Sequence, residues 1–187
     1  MPKKQMTTEV IRSKSRLFKI GNTTIVRLPR DASDKLPSRG QVMVEGLFNG
    51  AHFETPLEPD GNFRHWFEVS EKLLKETGTK VGAIVDLEIE LVKHWPDPEV
   101  PQDLKKAVAA SPKATSLWAQ ITPMARWEWV RWTRSTNSAE TRARRVRVAV
   151  SKMEQGKRRP CCWNRNLCTV PEVSKNGILL EAATVNA

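Results

Sequence analysis

Two histidines in the first half of the chain are the obvious candidates for acid–base chemistry. His52 and His65 lie on neighbouring predicted strands, where an imidazole can act as a general base. A histidine in a sheet is more often a hydrogen-bonded structural residue, and no sequence motif for a nucleophile, a metalloprotease or a phosphate-binding loop accompanies either one. The sequence therefore favours a non-enzymatic function and indicates neither a catalytic residue nor a cofactor, although a catalytic site assembled without a local motif stays open.

Three cysteines near the end of the chain raise the questions of metal binding and of redox chemistry. Structural zinc needs four Cys or His ligands, whereas Cys161 and Cys162 are adjacent and only Cys168 lies near them. We predict no metal site. The cationic neighbours Lys157, Arg158, Arg159 and Arg165 favour the thiolate form of a cysteine. Cys161 and Cys162 are thus candidate redox-sensitive thiols, and the alternative is an inert reduced tail.

Arginines dominate the last predicted helix and are the candidate anion ligands. On a helical wheel Arg142 lies at the edge of the apolar face, whereas Arg144, Arg145 and Arg147 are spread round the remaining circumference. A helix that reads a DNA groove keeps its contacts on one stripe, so this distribution disfavours groove reading. We expect a carboxylate or backbone carbonyls to fix Arg142, as a structural or a ligand-clamping residue. Arg142 and Arg145 are the candidate anion ligands of this helix.

The preceding helix presents an aromatic residue among bases. Trp127 shares the outer face with Arg131 and Arg134, and such a surface can stack a nucleobase and hold a phosphate. The alternative is a solvated cation–π pair between Trp127 and Arg131, four residues along the helix.

The charge of the chain is concentrated in its second half. The 187 residues carry a formal net charge of +10; residues 1–100 contain 15 Lys+Arg and 15 Asp+Glu, whereas residues 101–187 contain 16 and 6. The hydrophobic fraction of 39% is that of a globular protein. We find neither an apolar run of about 20 residues nor an apparent secretory signal, so we expect a cytoplasmic protein with no membrane partner. The surplus of positive charge in residues 101–187 makes nucleic acid a candidate partner of this segment.

Short strands with tight turns are predicted for the first half. The turn at Asn49-Gly50 joins two of them in a hairpin, and Ser70 and Gly78 delimit a short helix over 71–77. A small closed or half-closed barrel satisfies this pattern without exposed sheet edges. The predicted strands cover residues 14–20, 23–28, 41–48, 51–57, 63–69 and 83–91.

Helices are predicted for the second half. Pro101 fits the first position of a helix that reaches about residue 110, a further turn or two covers 115–121, and Thr122-Pro123 begins the next helix. Asn137 is the expected N-cap of the last helix, and Gly156 is its expected end. The predicted buried positions are Ala125, Trp129, Trp132, Thr133 and Thr136, followed by Ala139, Ala143, Val146, Ala149, Val150 and Met153.

Several stretches resemble a known family over roughly residues 14–160. The first half, with RLP at 27–29, GQVMVEGLFNGAHFETPLEPDG at 40–61 and GTKVGAIVDLEIE at 78–90, resembles the small barrel domain of unknown function that precedes YdeI/OmpD-associated sequences. The second half, with VPQDL at 100–104, TPMARWEWVRW at 122–132 and ETRARRV at 140–146, resembles the YdeI/OmpD-associated segment itself. The resemblance implies a double-split barrel like that of AbrB/MazE-type regulators, and a bacteriocin-protection label without a mechanism.

We therefore predict an α+β fold, an N-terminal small double-split-type β-barrel followed by a C-terminal helical segment. The predicted function is that of a non-enzymatic cytoplasmic binding protein, with stress or bacteriocin tolerance as its role and a protein or an anionic molecule as its partner. Nucleic-acid binding through residues 101–187 is the second hypothesis, and a ligand or enzymatic site at the barrel–helix junction is the third. The chain is expected to be a monomer or a dimer. The predicted divisions are a flexible N-terminus (1–12), the barrel (13–95), a linker (96–101), the basic helical segment (102–156) and a Cys-containing tail (157–187).

Overall fold

The computed structural model describes residues 9–92, 94–160, 173–175 and 178–180. The chain divides into two compact units, residues 1–93 with 178–187 and residues 94–177, and each is described here by itself. The first unit is a β-barrel and the second contains four helices, so the predicted fold class is confirmed. The finer division into five segments stays a prediction.

Six antiparallel strands close the barrel in the order β1-β2-β5-β4-β3-β6. Closure leaves none of these six strands with an unpaired edge. Two short helices, α1 (Arg30–Asp34) and α2 (Glu71–Thr77), lie between strands, and α2 has the predicted Ser70 and Gly78 caps. The strands are β1 (Ile11–Ile20), β2 (Thr23–Arg27), β3 (Val42–Phe48), β4 (Ala51–Pro59), β5 (His65–Glu68) and β6 (Ile84–Leu91).

Alternating side chains fill the interior of the barrel. On β6, Val85, Leu87 and Ile89 are buried, whereas the residues between them face outward, as the sequence predicts. The outward carboxylates Asp86 and Glu88 form exposed ion pairs with cations of β1. The core also contains Leu17, Val26, Leu28, Val44, Phe48, Phe53, Leu57 and Phe67.

One glycine allows two strands of the barrel to approach closely. Gly46 on β3 is paired with Ile89 on β6, and a Cβ atom at position 46 would lie 1.8 Å from the carbonyl oxygen of Glu88. Any side chain there would push the two strands apart, so Gly46 is required by packing.

The first residues of two strands differ from the prediction by two residues or more, for identifiable reasons. β1 begins at Ile11 rather than at residue 14, because Ile11 to Arg16 pair with β6 while Leu17 to Ile20 pair with β2. Pairing along both halves of β1 outweighs its weak hydrophobic alternation. β5 begins at His65 rather than Phe63, since Phe63 has a φ of +65°, which is incompatible with a strand.

The second unit packs four helices round a continuous apolar core. They are α3 (Gln102–Ala109), α4 (Pro112–Gln120), α5 (Pro123–Arg134) and α6 (Ala139–Glu154). In the described part of the chain, no helix combines the length and the apolar character needed to cross a membrane. The fully or nearly fully buried core residues are Leu104, Val108, Ala114, Ile121, Ala125, Trp129, Val130, Val146, Ala149 and Met153.

Details of the helix ends correct the sequence prediction. The N-cap of α6 is Ser138 and not Asn137, because the Ser138 hydroxyl accepts a hydrogen bond from the backbone N–H of Thr141. Pro101 is the N-cap of α3 rather than its first residue. Ala139 and Ala143, predicted as buried, are exposed, so the apolar face of α6 is narrower than expected. Two short strands follow, β7 (Ser174–Lys175) and β8 (Ile178–Leu179), of which β8 belongs to the barrel unit.

Candidate functional site

Arg142 joins α6 to α3 through a carboxylate. Its Nε and Nη2 atoms donate to the two oxygens of Asp103 at 2.6 and 2.9 Å. Both side chains are partly exposed, 30% for Arg142 and 43% for Asp103. The hydrogen bond from Arg142 lowers the pKa of Asp103, and the same contact raises the pKa of Arg142. The expected carboxylate partner of Arg142 is therefore Asp103, a residue that the sequence analysis did not single out.

Arg145 binds the C-terminal end of α5. Its Nη1 atom donates to the carbonyl oxygens of Trp132 and Ser135, at 2.9 and 2.8 Å, and to the Ser135 hydroxyl. These carbonyls belong to the end of a helix, where no intrahelical N–H remains to bind them and where a cation is favoured. The guanidinium group also lies 5.6 Å from the centre of the Trp132 ring. Arg145 thus acts as a C-terminal cap for α5.

Arginines cap α4 in the same way. The Nε atom of Arg126 donates to the carbonyl oxygen of Trp118, and Arg158 donates to that of Gln120 at 2.8 Å. Because Pro123 follows α4 after only two residues, the chain turns directly into α5 without a glycine that could close the helix end. The short connection leaves carbonyls that the two guanidinium groups satisfy.

Trp127 lies against the segment that the sequence analysis interpreted as a linker. Its indole N–H donates to the carbonyl oxygen of Pro96 at 2.8 Å, and its ring meets Trp95 edge-on with centres 6.3 Å apart. Beside it, Arg126 forms an ion pair with Asp97. Residues 95–97 are therefore held on α5 by one hydrogen bond, one aromatic contact and one ion pair.

The remaining candidates on α5 differ in exposure. Arg131 is half-buried, whereas Arg134 is exposed in the last turn. Arg131 and Arg134 both lie in the last turn of α5, the end that Arg145 binds, whereas Trp127 lies nearer the middle of the helix. Binding of an anion by Arg142, Arg145, Trp127, Arg131 or Arg134 stays a prediction.

Three exposed arginines differ from the bonded ones. In the described part of the chain, the guanidinium groups of Arg134, Arg144 and Arg147 form neither a hydrogen bond nor an ion pair. Arg144 and Arg147 are three residues apart and therefore project about 60° from each other on α6. The four arginines of α6 are spread round the helix, but the two that are available to a partner share one stripe.

His65 is fully buried in the barrel wall. Its Nε2 atom lies 3.0 Å from the carbonyl oxygen of Gly40, and its backbone N–H donates to the Ser33 hydroxyl. Burial lowers the pKa of His65, because a charged imidazole would lose its hydration. His52 is exposed, 3.7 Å from Glu45. The two histidines are thus in different environments, and His65 has the contacts of a structural residue.

The described residues include neither a cluster of side chains that could hold a metal ion nor a cysteine. Among the residues that the structure describes, no group of three His, Cys, Asp or Glu side chains is arranged to hold a metal ion. Cys161 and Cys162, predicted as redox-sensitive, lie outside the described residues, as does Cys168.

Comparison with family models gives two matches that together span most of the chain. Residues 97–156 match the model described as bacteriocin-protection, YdeI or OmpD-associated. Residues 7–89 match the model of a domain of unknown function, DUF1905. No curated protein matches the chain. The boundary between the two matches falls between β6 and α3, the same place at which the compact units divide.

Proposed function

We propose that this chain, which matches the YdeI/OmpD-associated model over residues 97–156 and the DUF1905 model over residues 7–89, is a non-enzymatic binding protein. Its helical unit docks a protein partner that presents acidic side chains to the exposed arginines of α6. The proposed role is in bacteriocin or stress tolerance, of which the family description names bacteriocin protection and gives no mechanism. The observation that carries the binding proposal is the exposed pair Arg144 and Arg147, which have no partner among the described residues while other arginines of the unit are bonded internally.

The composition of the exposed stripe of α6 favours a protein over a nucleic acid. At 100° per residue, Glu140, Arg144, Arg147, Ser151 and Glu154 fall within about 80° of one another. Two carboxylates thus flank the two arginines, and half-exposed Val148 lies beside them. A polyanion would be repelled by the carboxylates, whereas a protein surface can place an acidic residue opposite the arginines and a basic one opposite each glutamate.

The interior of the barrel supports a non-enzymatic function. Small-molecule sites are concave cavities lined by apolar side chains with a few polar groups. Here the space enclosed by the strands is filled by buried side chains such as Leu17, Phe48, Phe67 and Leu87. The third hypothesis, a site at the barrel–helix junction, stays a prediction.

The test is a pull-down with the full chain as bait, compared with a double variant. Arg144→Ala with Arg147→Ala removes both available cations of the stripe and is expected to abolish capture of the partner. The matched control is Lys105→Ala with Lys106→Ala, which removes two exposed cations of α3 and should leave capture unchanged. The same variants are then scored for survival of a deletion strain under bacteriocin challenge.

The outcomes separate the proposal from its alternatives. Equal loss of capture in both double variants would mean that binding depends on net charge and not on the α6 stripe. Capture at the wild-type level by the Arg144/Arg147 variant would refute the α6 interface. Nucleic-acid binding predicts instead that affinity for duplex DNA falls by about 0.9 log units per tenfold rise in salt for each phosphate neutralised. Binding of duplex DNA with such a slope, lost in the Arg144/Arg147 variant, would replace the protein partner by nucleic acid.

A further inference from the structure

The turn between β4 and β5 is built round a buried carboxylate. Asp60 is 1% exposed, and its Oδ1 atom accepts hydrogen bonds from the backbone N–H groups of Asn62 and Arg64, at 2.7 and 2.8 Å. Its own N–H donates to the carbonyl oxygen of Arg64, and Arg27 lies 3.7 Å from its other carboxylate oxygen. These contacts fix residues 60–64 as one rigid turn on the wall of the barrel.

This turn holds an aromatic residue in an unfavourable conformation at the surface. Phe63 has a φ of +65°, a region in which a bulky side chain is strained, and 64% of the residue is exposed. Arg39 donates from Nη1 to the carbonyl oxygen of Phe63 at 2.9 Å. Neither local preference nor burial of the ring explains phenylalanine here, since glycine or asparagine would adopt the same backbone without strain.

One guanidinium group lies over the exposed ring of Phe63, and a second binds the backbone of the same residue. Arg30 lies over Phe63, 5.3 Å from the ring centre, and Arg39 is held beside the turn by an ion pair of 2.7 Å with Asp34. Arg64 follows Phe63 in the chain. Asp34 also lies 4.0 Å from Arg30, so one carboxylate pairs with two arginines. Together with Arg64, these residues carry a net positive charge.

We infer that Phe63 and its arginines form a stacking site for a base of single-stranded nucleic acid. With Arg30 over one face of the ring, the exposed remainder of the ring offers the planar surface on which bases stack. Arg30 and Arg39 are positioned to bind the neighbouring phosphates, for which guanidinium groups are suited. This site lies on the barrel and does not depend on the proposed docking face of α6.

The surroundings of the ring favour a nucleic acid over a protein partner. Aromatic residues that anchor protein interfaces sit at the centre of well-packed, largely apolar patches. The described contacts of Phe63 are instead with two cations, Arg30 over the ring and Arg39 at the backbone carbonyl oxygen. A ligand that is both planar and negatively charged matches this combination.

The test measures fluorescence anisotropy of a labelled single-stranded oligothymidylate of about 12 nucleotides, at low salt, with the full chain. Phe63→Asn is expected to weaken binding about tenfold or more, because the stacking surface is lost. Its thermal midpoint should equal or exceed that of the wild type, since asparagine tolerates the positive φ. Phe63→Trp should keep the binding, and Val81→Asn, which replaces another exposed apolar residue, should not change it.

Several results would overturn this inference. One is wild-type affinity in Phe63→Asn, and another is equal loss in Phe63→Trp, which keeps an aromatic surface. A third is absence of oligonucleotide binding by the wild type at low salt, which would leave Phe63 as a protein contact. A duplex of the same sequence serves as the reference: if Phe63→Asn weakens duplex binding as much as single-strand binding, stacking on an unpaired base is refuted.

Discussion

Arg142 and Asp103 are joined by two hydrogen bonds, and this geometry determines what a substitution at either residue does. We expect Arg142→Lys to lower the free energy of unfolding by about 0.5–1 kcal/mol, because an ammonium cannot make the two-fold contact and the pair is partly exposed. The measurement is urea unfolding near neutral pH. Glu99→Gln, which alters an exposed carboxylate without a described partner, is the control and should have no effect.

The same pair gives the stability a defined pH dependence. The pKa of Asp103 is lowered from its ordinary value of 3.8, so its contribution is present above 3.8 and is lost as the pH falls through the folded value. Asp103→Asn should therefore reduce stability near neutral pH and lose less stability on acidification than the wild type. An identical acid response in the two proteins would contradict this assignment.

His65 is expected to destabilise the barrel in mild acid. Burial lowers its pKa below the ordinary 6.5, so the unfolded chain binds the proton more readily than the folded one. The free energy of unfolding should therefore fall as the pH drops from 6.5 to the folded value, and no further change from this group should follow below it. Urea unfolding between about pH 7.5 and 5 tests this.

Two histidine variants provide the comparison for that measurement. His65→Gln cannot titrate and should flatten the pH response, although it lowers stability at neutral pH because the buried site is disturbed. His52→Gln changes an exposed imidazole and should leave the pH response of the wild type intact. Loss of the pH response in His52→Gln, with the response kept in His65→Gln, would contradict the assignment to His65.

At the scale of the helices, part of the arginine surplus serves to end them. Arg126 and Arg158 bind the last carbonyls of α4, and Arg145 binds those of α5. The loops after these helices are short and contain no glycine, so side chains must satisfy the helix ends. Arginine suits this task because its several donors reach more than one carbonyl.

Arg145 is the sharpest test of this capping role. Arg145→Ala should lower the free energy of unfolding by about 1–2 kcal/mol. It removes the guanidinium donor from the carbonyl oxygen of Ser135 and leaves that of Trp132 with the Ser135 hydroxyl as its side-chain donor. Chemical denaturation measures the change. Arg144→Ala, at the neighbouring exposed position, should stay within about 0.5 kcal/mol of the wild type. Unchanged stability of Arg145→Ala would favour the alternative of an anion ligand.

At the scale of the whole molecule, a late segment of the chain belongs to the barrel. Leu179 on β8 is 4% exposed, and its backbone N–H donates to the carbonyl oxygen of Asp60 at 2.9 Å. Leu179→Ala should therefore cost about 2–3 kcal/mol in stability of the barrel, as for other buried leucines. Thermal unfolding followed by circular dichroism checks this.

The neighbouring leucine gives a matched control. Leu180 is exposed, so Leu180→Ala should change stability by less than about 0.5 kcal/mol. Equal effects of the two substitutions would mean that residues 178–180 do not pack on the barrel as the structure shows.

Local signals in the sequence determined most of the elements. The alternation over 83–91, the Asn49-Gly50 turn and the caps Ser70 and Gly78 depend on contacts within a few residues, and each appears where it was predicted. The net charge of the second half and the apolar stripe through Ala125 and Trp129 are likewise properties of the sequence alone. These features were predictable because hydrophobic periodicity and turn preferences act locally.

Only the tertiary structure decided which polar residues remain available to a partner. A helical wheel gives the direction of all four arginines of α6, but the partners of Arg142 and Arg145 lie on α3 and at the end of α5. Likewise, Pro59-Asp60-Gly61-Asn62 indicates a turn, whereas the positive φ of Phe63 follows from the hydrogen bonds that Asp60 accepts there. Net charge and hydrophobic periodicity are properties of the sequence. A hydrogen bond between distant residues requires two groups to meet in space, and only the fold brings them together.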